Sequence, residues 1–388
     1  MDFPMVERAD VVIIGGGIAG ISLAGRLAPH RDVVVIEMEN HLGTHATGRS
    51  AAVYIEAYGS RAIRLLSTRS RAFFEAPPAG FSAVPLVHPR GSLVFAGSDD
   101  RDRLRKEYAL AERITTVQWL DQDALLTCCP VLRPEAAAAG FLEPGARDID
   151  TDALLQGFAR MARQCGTRIL TGVPVSEIRH AGDWLVIAGE WEIRADVLVN
   201  AAGAWAEEVA HRAGLPGRGL QPMRRTAATL PLPPDLARAT ADLPVATAVD
   251  ESFYFKPEAG DMLVSLSEET PLRPCDAYPE DLDIATALER FHEATTVPRA
   301  RPKASWAGLR TFAADRNPVV GYESTAPGFF WCAGQGGYGL QTAPALSALA
   351  ASLLLQESLD SSGVALARAL SPERFGIVNS LGDRCSAL

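Results

Sequence analysis

Residues 9–20 of this 388-residue chain, Ala-Asp-Val-Val-Ile-Ile-Gly-Gly-Gly-Ile-Ala-Gly, constrain its fold more than any other stretch. Val11 to Ile14 form an unbroken apolar run, as in a parallel strand covered on both faces. Gly15, Gly17 and Gly20 then fit G-x-G-x-x-G, and Ile18, Ile21, Leu23 and Leu27 recur at helical spacing. The first glycine permits a tight turn, the second lets the backbone approach a pyrophosphate, and the third lets helix and strand pack closely. The diphosphate would sit on the free N–H groups at the helix start. A second apolar run, residues 33–36, ends at Glu37, near the roughly 20-residue spacing at which a carboxylate meets a ribose hydroxyl and repels a 2′-phosphate. Strand, turn, helix, strand and acid in this order predict a dinucleotide site that disfavours NADP.

Length and a 47% hydrophobic composition allow a large core and point to two domains. A net charge of -10 argues against nucleic acid or an anionic membrane as partner. The polar residues 1–10 lead straight into the first strand, so no signal peptide is expected, and the apolar helix candidate 344–355 is too short to span a bilayer. Of six cysteines, Cys128 and Cys129 are adjacent and the rest scattered, without C-x-x-C or metal spacing. The expectation is reduced thiols, no metal and a cytoplasmic location.

Residues 41–52 are small and hydroxylated, which suits either a loop lining a flat ligand or a plain surface loop. The pattern changes between about 76 and 145, an insertion outside the dinucleotide sheet that includes a charged helix around 99–113. Residues 151–165 form an amphipathic helix, with Leu154, Leu155, Phe158 and Met161 on one face. Short strands follow at 167–170, 173–180, 184–188 and 192–194, then an apolar strand from 195 that ends in Ala202, Gly203 and Trp205. From 220 to 299 strand-like pieces (226–232, 252–256, 261–267) are joined by proline-rich links. The chain closes through 306–310, 318–322 and 328–334 into a helix running from Gly336 to about Leu355, then surface helix and coil beyond Asp360.

The order of Gly15, Gly17 and Gly20, Glu37, and Gly48-Arg49-Ser50-Ala51-Ala52 resembles the FAD-dependent D-amino-acid oxidase and glycine oxidase superfamily. Arg71-Ala72-Phe73-Phe74, the run from Asp148 to Leu154, Asp250 to Tyr254, Trp306 to Arg310 and Gln335 to Gly339 are similar, within it, to D-arginine dehydrogenase. The resemblance spans essentially the whole chain. It implies an α/β fold: a discontinuous Rossmann-like FAD-binding domain (1–75, 146–215, 305–388) and an antiparallel-sheet α+β substrate-capping domain (76–145, 216–304). It also implies FAD contacts from Gly15, Gly17, Ile18, Ala19 and Gly20; Glu37 and Met38; Arg49, Ser50, Ala51 and Ala52; Val173; Ala202, Gly203 and Trp205; Gly308 and Arg310; and Gly336, Gly337, Tyr338, Gly339 and Leu340. With no attachment cysteine in pattern, FAD is expected to be non-covalent.

The resemblance assigns the substrate α-carboxylate to Arg225 and Arg310, places Tyr254 over the flavin with a hydrogen bond to that carboxylate, and implies a pocket tyrosine at Tyr58 and an amine-accepting carbonyl at Gly337. A strand alternates faces, so Arg224 is expected to face solvent. The helix opened by Gly336 to Gly339 can stabilise negative charge on a reduced flavin edge.

Two departures bear on the substrate. Ser92 stands where the relative carries the acid that pairs with an arginine side chain, and Val53 replaces a pocket histidine. A guanidinium buried without a counter-charge is costly, so an uncharged D-amino acid or a related secondary amine is expected. Glu56 either faces a cationic side chain or is solvated. Strand 261–265 has no lysine, which favours a quinone or dye over oxygen as electron acceptor. The same scaffold suits an amine or 2-hydroxy-acid oxidase, and a non-catalytic flavin-binding subunit is the contrasting alternative.

Overall fold

The computed structural model describes residues 5–375. Strand β1 (Met5–Ile14) runs parallel to β2 (Val33–Ile36) on one side and to Trp191–Asn200 on the other. Arg168–Leu170 extends the parallel set beyond β2, and Phe329–Ala333 pairs in parallel with the far end of Trp191–Asn200. The residues expected as two pieces from 192 therefore form one continuous strand. Trp184–Ala188 and Val175–His180 add an antiparallel edge, and Val319–Tyr322 completes eight strands.

The unbroken apolar run in β1 follows from burial on both faces. Val11 and Ile13 pack with helix α1 (Ile18–Leu27) and the helices Thr151–Gln164 and Gly339–Leu354, in a core that includes Phe158 and Leu346. Val12 and Ile14 point the other way, toward Trp184, Leu198, Val209 and Trp331. Helix Ser361–Leu370 is anchored to the first core by Leu366 and Leu370, where surface structure was expected; the tail beyond 375, with Cys385, and residues 1–4 lie outside the described residues.

A nine-stranded sheet forms the second layer. Gln221–Pro231 pairs with Ala304–Phe312 along most of its length and with Asp261–Ser265 and Thr270–Pro271; Tyr254–Glu258 and Val245–Ala248 continue the order. The 76–145 insertion joins this sheet through Ser92–Ala96, Ala139–Glu143 and Gln118–Asp121. The junction of Val245–Ala248 with Ser92–Ala96 is parallel, so the sheet is mixed rather than wholly antiparallel. Ala304–Phe312, placed from the sequence with the dinucleotide domain, is hydrogen-bonded into this second sheet while its Gly308 and Arg310 reach the cavity described below.

Residues 281–294, read from the sequence only as linkage, form a helix, Asp281–Ala294, whose Ala287 and Phe291 pack on Leu230, Phe255 and Val264. A small third sheet joins Val53–Tyr54 and Val87–Pro89 to Arg147–Ile149. Among the described residues no helix is long and apolar enough to cross a membrane.

Candidate active site

The first glycine turn is tight for a definable reason. A Cβ on Gly20 would stand 2.0 Å from the Gly15 carbonyl oxygen, and one on Gly15 would stand 2.3 Å from the Ala201 oxygen. Gly15 also holds φ +116°, a conformation side chains avoid. Helix α1, strand β1 and the second turn at Ala201–Ala202 are thereby pressed together. The Gly17 cap of α1 has no side-chain partner and the first turn no acid, which leaves the positive helix end toward the cavity. Thr47 Oγ1 accepts the Ile18 N–H at 3.1 Å. The buried Glu37 carboxylate accepts the Gly16 N–H at 2.6 Å and the Glu39 N–H at 2.9 Å, so two backbone donors fix its direction.

One elongated cavity starts at this turn and ends between the two large sheets. Gly15, Gly17, Ile18 and Ala19 form its floor, with Glu37 and Met38 at the β2 end. Arg49, Ser50 and Val173 line one stretch; Ala202, Gly203 and Trp205 line the next. Gly308, Arg310, Gly336, Gly337, Gly339 and Leu340 close the far end.

Four expected residues stand off the wall. Gly20 lies beneath the turn, Ala52 holds φ +51° and accepts the Ile149 N–H, Ala51 precedes it, and the Tyr338 ring is packed 5.3 Å from Tyr58. The small hydroxylated stretch does line a ligand cavity, through Thr44, His45 and Thr47, residues not singled out from the sequence. His45 binds Glu39 at 2.8 Å and packs against Trp205. Cys275 and Ala277, delivered by a proline-rich link, also line the cavity and carried no signal.

Arg49 donates to the carbonyls of Ala277 and Ala307, both at 3.0 Å, and pairs with Asp276. Its side chain passes where a Cβ on Gly308 would stand, 3.3 Å from the Arg49 Cβ, so a glycine is suited there.

Strand register builds the far end. Met223 faces Arg310 and Arg225 faces Gly308, so the two arginines are diagonal neighbours on one face of the sheet. Tyr254 faces Ser265, which faces Ala227, and alternation puts Tyr254 on that same face. Gly337 touches the group from the other side: a Cβ there would be 2.8 Å from Arg310 Nη1. Burial, and then the like charge of Arg225, push the Arg310 pKa down, while Tyr254 and Tyr58 oppose this. Burial raises the Tyr58 pKa, with Tyr338 and Glu251 adding to the effect and the two arginines opposing it, so its phenol stays protonated at neutral pH. Tyr58, Arg225, Tyr254, Arg310 and Gly337 are thus brought together. Among the described residues Arg310 pairs with no carboxylate, whereas Arg225 donates to the Glu268 carbonyl at 3.2 Å and to Glu269 at 3.1 Å.

Two expectations are corrected. Arg224 does point to the opposite face, but helix Asp281–Ala294 covers it; it is 4% exposed and ion-paired with Glu280 and Asp283. Glu56 is neither solvated nor open to a substrate: it is 1% exposed, held by two nitrogens of Arg71, and accepts the Tyr54 hydroxyl at 2.5 Å. Behind it lies Glu143, whose oxygens accept the N–H groups of Glu56 at 2.9 Å and Ala57 at 3.3 Å, just before Tyr58. Burial pushes the Glu143 pKa up to about 7, with the Glu56 charge adding and the two N–H donors and Arg71 restraining it. Ser92 lies directly across the strand pair from Glu143.

Residues 10–353 match the DAO family of FAD dependent oxidoreductases. The chain belongs to this family. The cavity fits FAD in ways the structure shows: close-approach glycines at both ends, a helix end with no acid in its first turn facing it, and an oriented carboxylate at Glu37.

Among curated relatives of this DAO-family oxidoreductase, the mitochondrial dimethylglycine dehydrogenase of Rattus norvegicus is 28% identical over 66% of this chain but only 30% of its own length. The chain therefore spans less than a third of the dimethylglycine dehydrogenases it matches. Glycine oxidase of Geobacillus kaustophilus is 26% identical, with 90% of this chain and 94% of the relative covered. The crystal structure of glycine oxidase from Geobacillus kaustophilus superposes with a TM-score of 0.81 at 23% identity, over 91% of this chain and 96% of the other. L-proline dehydrogenase from P. horikoshii gives a TM-score of 0.83 at 19% identity, over 96% and 98%. These two likenesses establish shared architecture.

Proposed function

We propose that this oxidoreductase oxidises the C–N bond of an uncharged D-amino acid to the imino acid, which water hydrolyses to the 2-oxo acid and ammonia. The observation that carries the reading is the convergence of Arg225, Tyr254 and Tyr58 on Arg310 and Gly337, the two of the five that line the end of the FAD cavity. Bound FAD supplies the acceptor for the substrate's hydride, so the chain's own work is to hold and orient.

Arg310 grips the α-carboxylate with its planar fork, and Arg225 adds a second positive charge. The protonated Tyr58 phenol donates to the same carboxylate, and Tyr254 closes the other side. The Gly337 carbonyl accepts an N–H of the amine, which fixes the Cα–H direction. Ser92 carries no charge, and Glu56 is committed to Arg71. Glu251, whose charge reaches Tyr58 and Tyr338, is exposed and screened by water. These features favour an uncharged side chain over arginine. The names of the relatives, glycine oxidase and dimethylglycine dehydrogenase, favour a second reading in which glycine or an N-alkylated glycine is the substrate.

We further propose non-covalent FAD, electron transfer to a quinone or dye because Asp261–Ser265 places no lysine in the sheet, and a cytoplasmic location in keeping with the free Cys128, Cys129, Cys165, Cys275 and Cys332. The division into 1–75, 146–215 and 305–388 against 76–145 and 216–304 belongs to the same proposal.

Anaerobic bleaching of the flavin by a panel of D- and L-amino acids, N-methylated glycines and 2-hydroxy acids tests the reading. D-specific bleaching by uncharged side chains supports it, and glycine-type substrates support the second reading. Bleaching by L-amino acids or hydroxy acids alone, or none, overturns it. Repeating the assay in air checks the acceptor, and yellow colour in an acid-precipitated pellet would contradict non-covalent binding.

A further inference from the structure

Arg310 lines the far end of the cavity, Arg225 is its neighbour across the strand pair, and the Glu269 carboxylate joins Arg225 to a third guanidinium, Arg316. Glu269 Oε1 accepts from Arg225 Nη2 at 3.1 Å, and Glu269 Oε2 accepts from Arg316 Nη1 at 2.9 Å, with the second Arg316 nitrogen also on Oε1. Arg316 is held in place: its guanidinium lies 4.0 Å from the Phe312 ring centroid, and that ring fills the space left by Gly336, where a Cβ would stand 2.2 Å from it. The Arg225 side chain is 10% exposed, Glu269 31% and Arg316 45%, so the chain of charges runs from the cavity outward to solvent.

We propose that Glu269 is a specificity-determining residue that limits the substrate to one carboxylate: it engages Arg225 and Arg316 and leaves Arg310 as the guanidinium with no carboxylate partner. The inference rests on the carboxylate-gripping role given above to Arg225 and Arg310. A substrate's α-carboxylate completes Arg310 and the remaining Arg225 donors. A second carboxylate has no free cation to meet. It faces the Glu269 charge, and like charges in such a site repel. Glu269 is ionised at neutral pH, since Arg316, Arg225 and Arg310 outweigh the effect of its burial and hold its pKa below the usual range. Nothing in the residue's local sequence marks this role, because its partners lie 44 and 47 positions away.

The test uses the FAD-loaded protein and its Glu269→Gln variant. Binding of acetate and of malonate is followed through the flavin absorbance, and anaerobic reduction is compared for D-alanine and D-aspartate. The wild type should favour the monocarboxylate in both pairs. Glu269→Gln should shift both ratios toward the dicarboxylate by roughly tenfold or more, while Glu269→Asp keeps the wild-type preference. Arg316→Met, which leaves the Glu269 charge less neutralised, should weaken malonate several-fold more than acetate and serves if Glu269→Gln does not fold. A Glu269→Gln protein with normal flavin content and melting temperature but unchanged ratios overturns the proposal. So does an Arg316→Met protein that binds malonate as well as the wild type, or a wild type without preference. If no amino acid reduces the flavin, the function proposed above fails, and the acetate and malonate arm still decides the role of Glu269.

Discussion

The adjacent glycines Gly336 and Gly337 should respond to alanine in opposite ways, and the contrast separates carboxylate binding from folding. Gly337 does not hold a positive φ, so alanine is allowed by the backbone. Its new Cβ would sit 2.8 Å from Arg310 Nη1 and 3.5 Å from Arg310 Cδ and Cζ. Restoring an ordinary contact of about 3.4 Å moves the guanidinium by about 0.6 Å, enough to stretch a hydrogen bond of 2.9 Å to the limit of its range. A hydrogen bond to a charged group contributes about 1.5–3 kcal/mol, so the substrate's dissociation constant should rise roughly 10- to 100-fold. The melting temperature should stay near that of the wild type, because a flexible side-chain end absorbs the contact.

Gly336 differs in both respects. Its φ is +54°, and its Cβ would meet the buried Phe312 ring at 2.2 Å, a group with nowhere to go. Gly336→Ala should therefore lose stability first. Anaerobic stopped-flow reduction, fitted for dissociation constant and limiting rate, together with thermal melts, reads both variants. A Gly337→Ala protein with unchanged substrate affinity would refute the assignment of Arg310, and one that melts as early as Gly336→Ala would refute the geometry.

Other consequences concern the buried charges behind Tyr58. The Glu143 pKa, near 7 against the usual 4.5, means the folded protein keeps a proton that the unfolded chain releases; this stability is fully present below about 4.5 and lost as pH rises through about 7. The gap is worth on the order of 3 kcal/mol, so wild-type melting temperature should fall between pH 5 and 8 relative to Glu143→Gln, and parallel curves would contradict it. Arg71→Met leaves the buried Glu56 carboxylate with only the Tyr54 hydroxyl and should destabilise by about 3 kcal/mol in urea unfolding, at the low end for a buried pair because Arg71 is half-exposed. Adding Glu56→Gln should recover most of that loss; a double variant as unstable as Arg71→Met would contradict the pairing.

What was legible in the sequence was what neighbours along the chain dictate. The run Val11 to Ile14, the glycines at 15, 17 and 20 and the acid at 37 specify a local strand, turn and helix, and the structure places them as such. Helix Asp281–Ala294 was readable in principle, since Ile284, Ala287, Leu288 and Phe291 recur at helical spacing, but flanking prolines made the stretch look like linkage.

What depended on pairing across the chain was not legible. Arg224 looks like a surface residue until Glu280 and Asp283 are brought over it, and Glu56 looks solvated until Arg71 closes on it. Glu143 and Glu269 act on backbone N–H groups or guanidiniums set by strand register, and register between Gln221–Pro231 and Ala304–Phe312 is a property of the folded sheet. The convergence of Arg225 and Arg310 came from family resemblance, and register supplies its physical basis.

The central claim is that a carboxylate held by Arg225 and Arg310 positions the substrate at the FAD cavity. Anaerobic flavin reduction by a D-amino acid is set beside reduction by the amide of the same amino acid, at a pH where both amines are unprotonated, so that the comparison reads the loss of the carboxylate charge. A loss of roughly a hundredfold or more in kcat/KM for the amide is the predicted result. Equal efficiency with acid and amide would contradict the account.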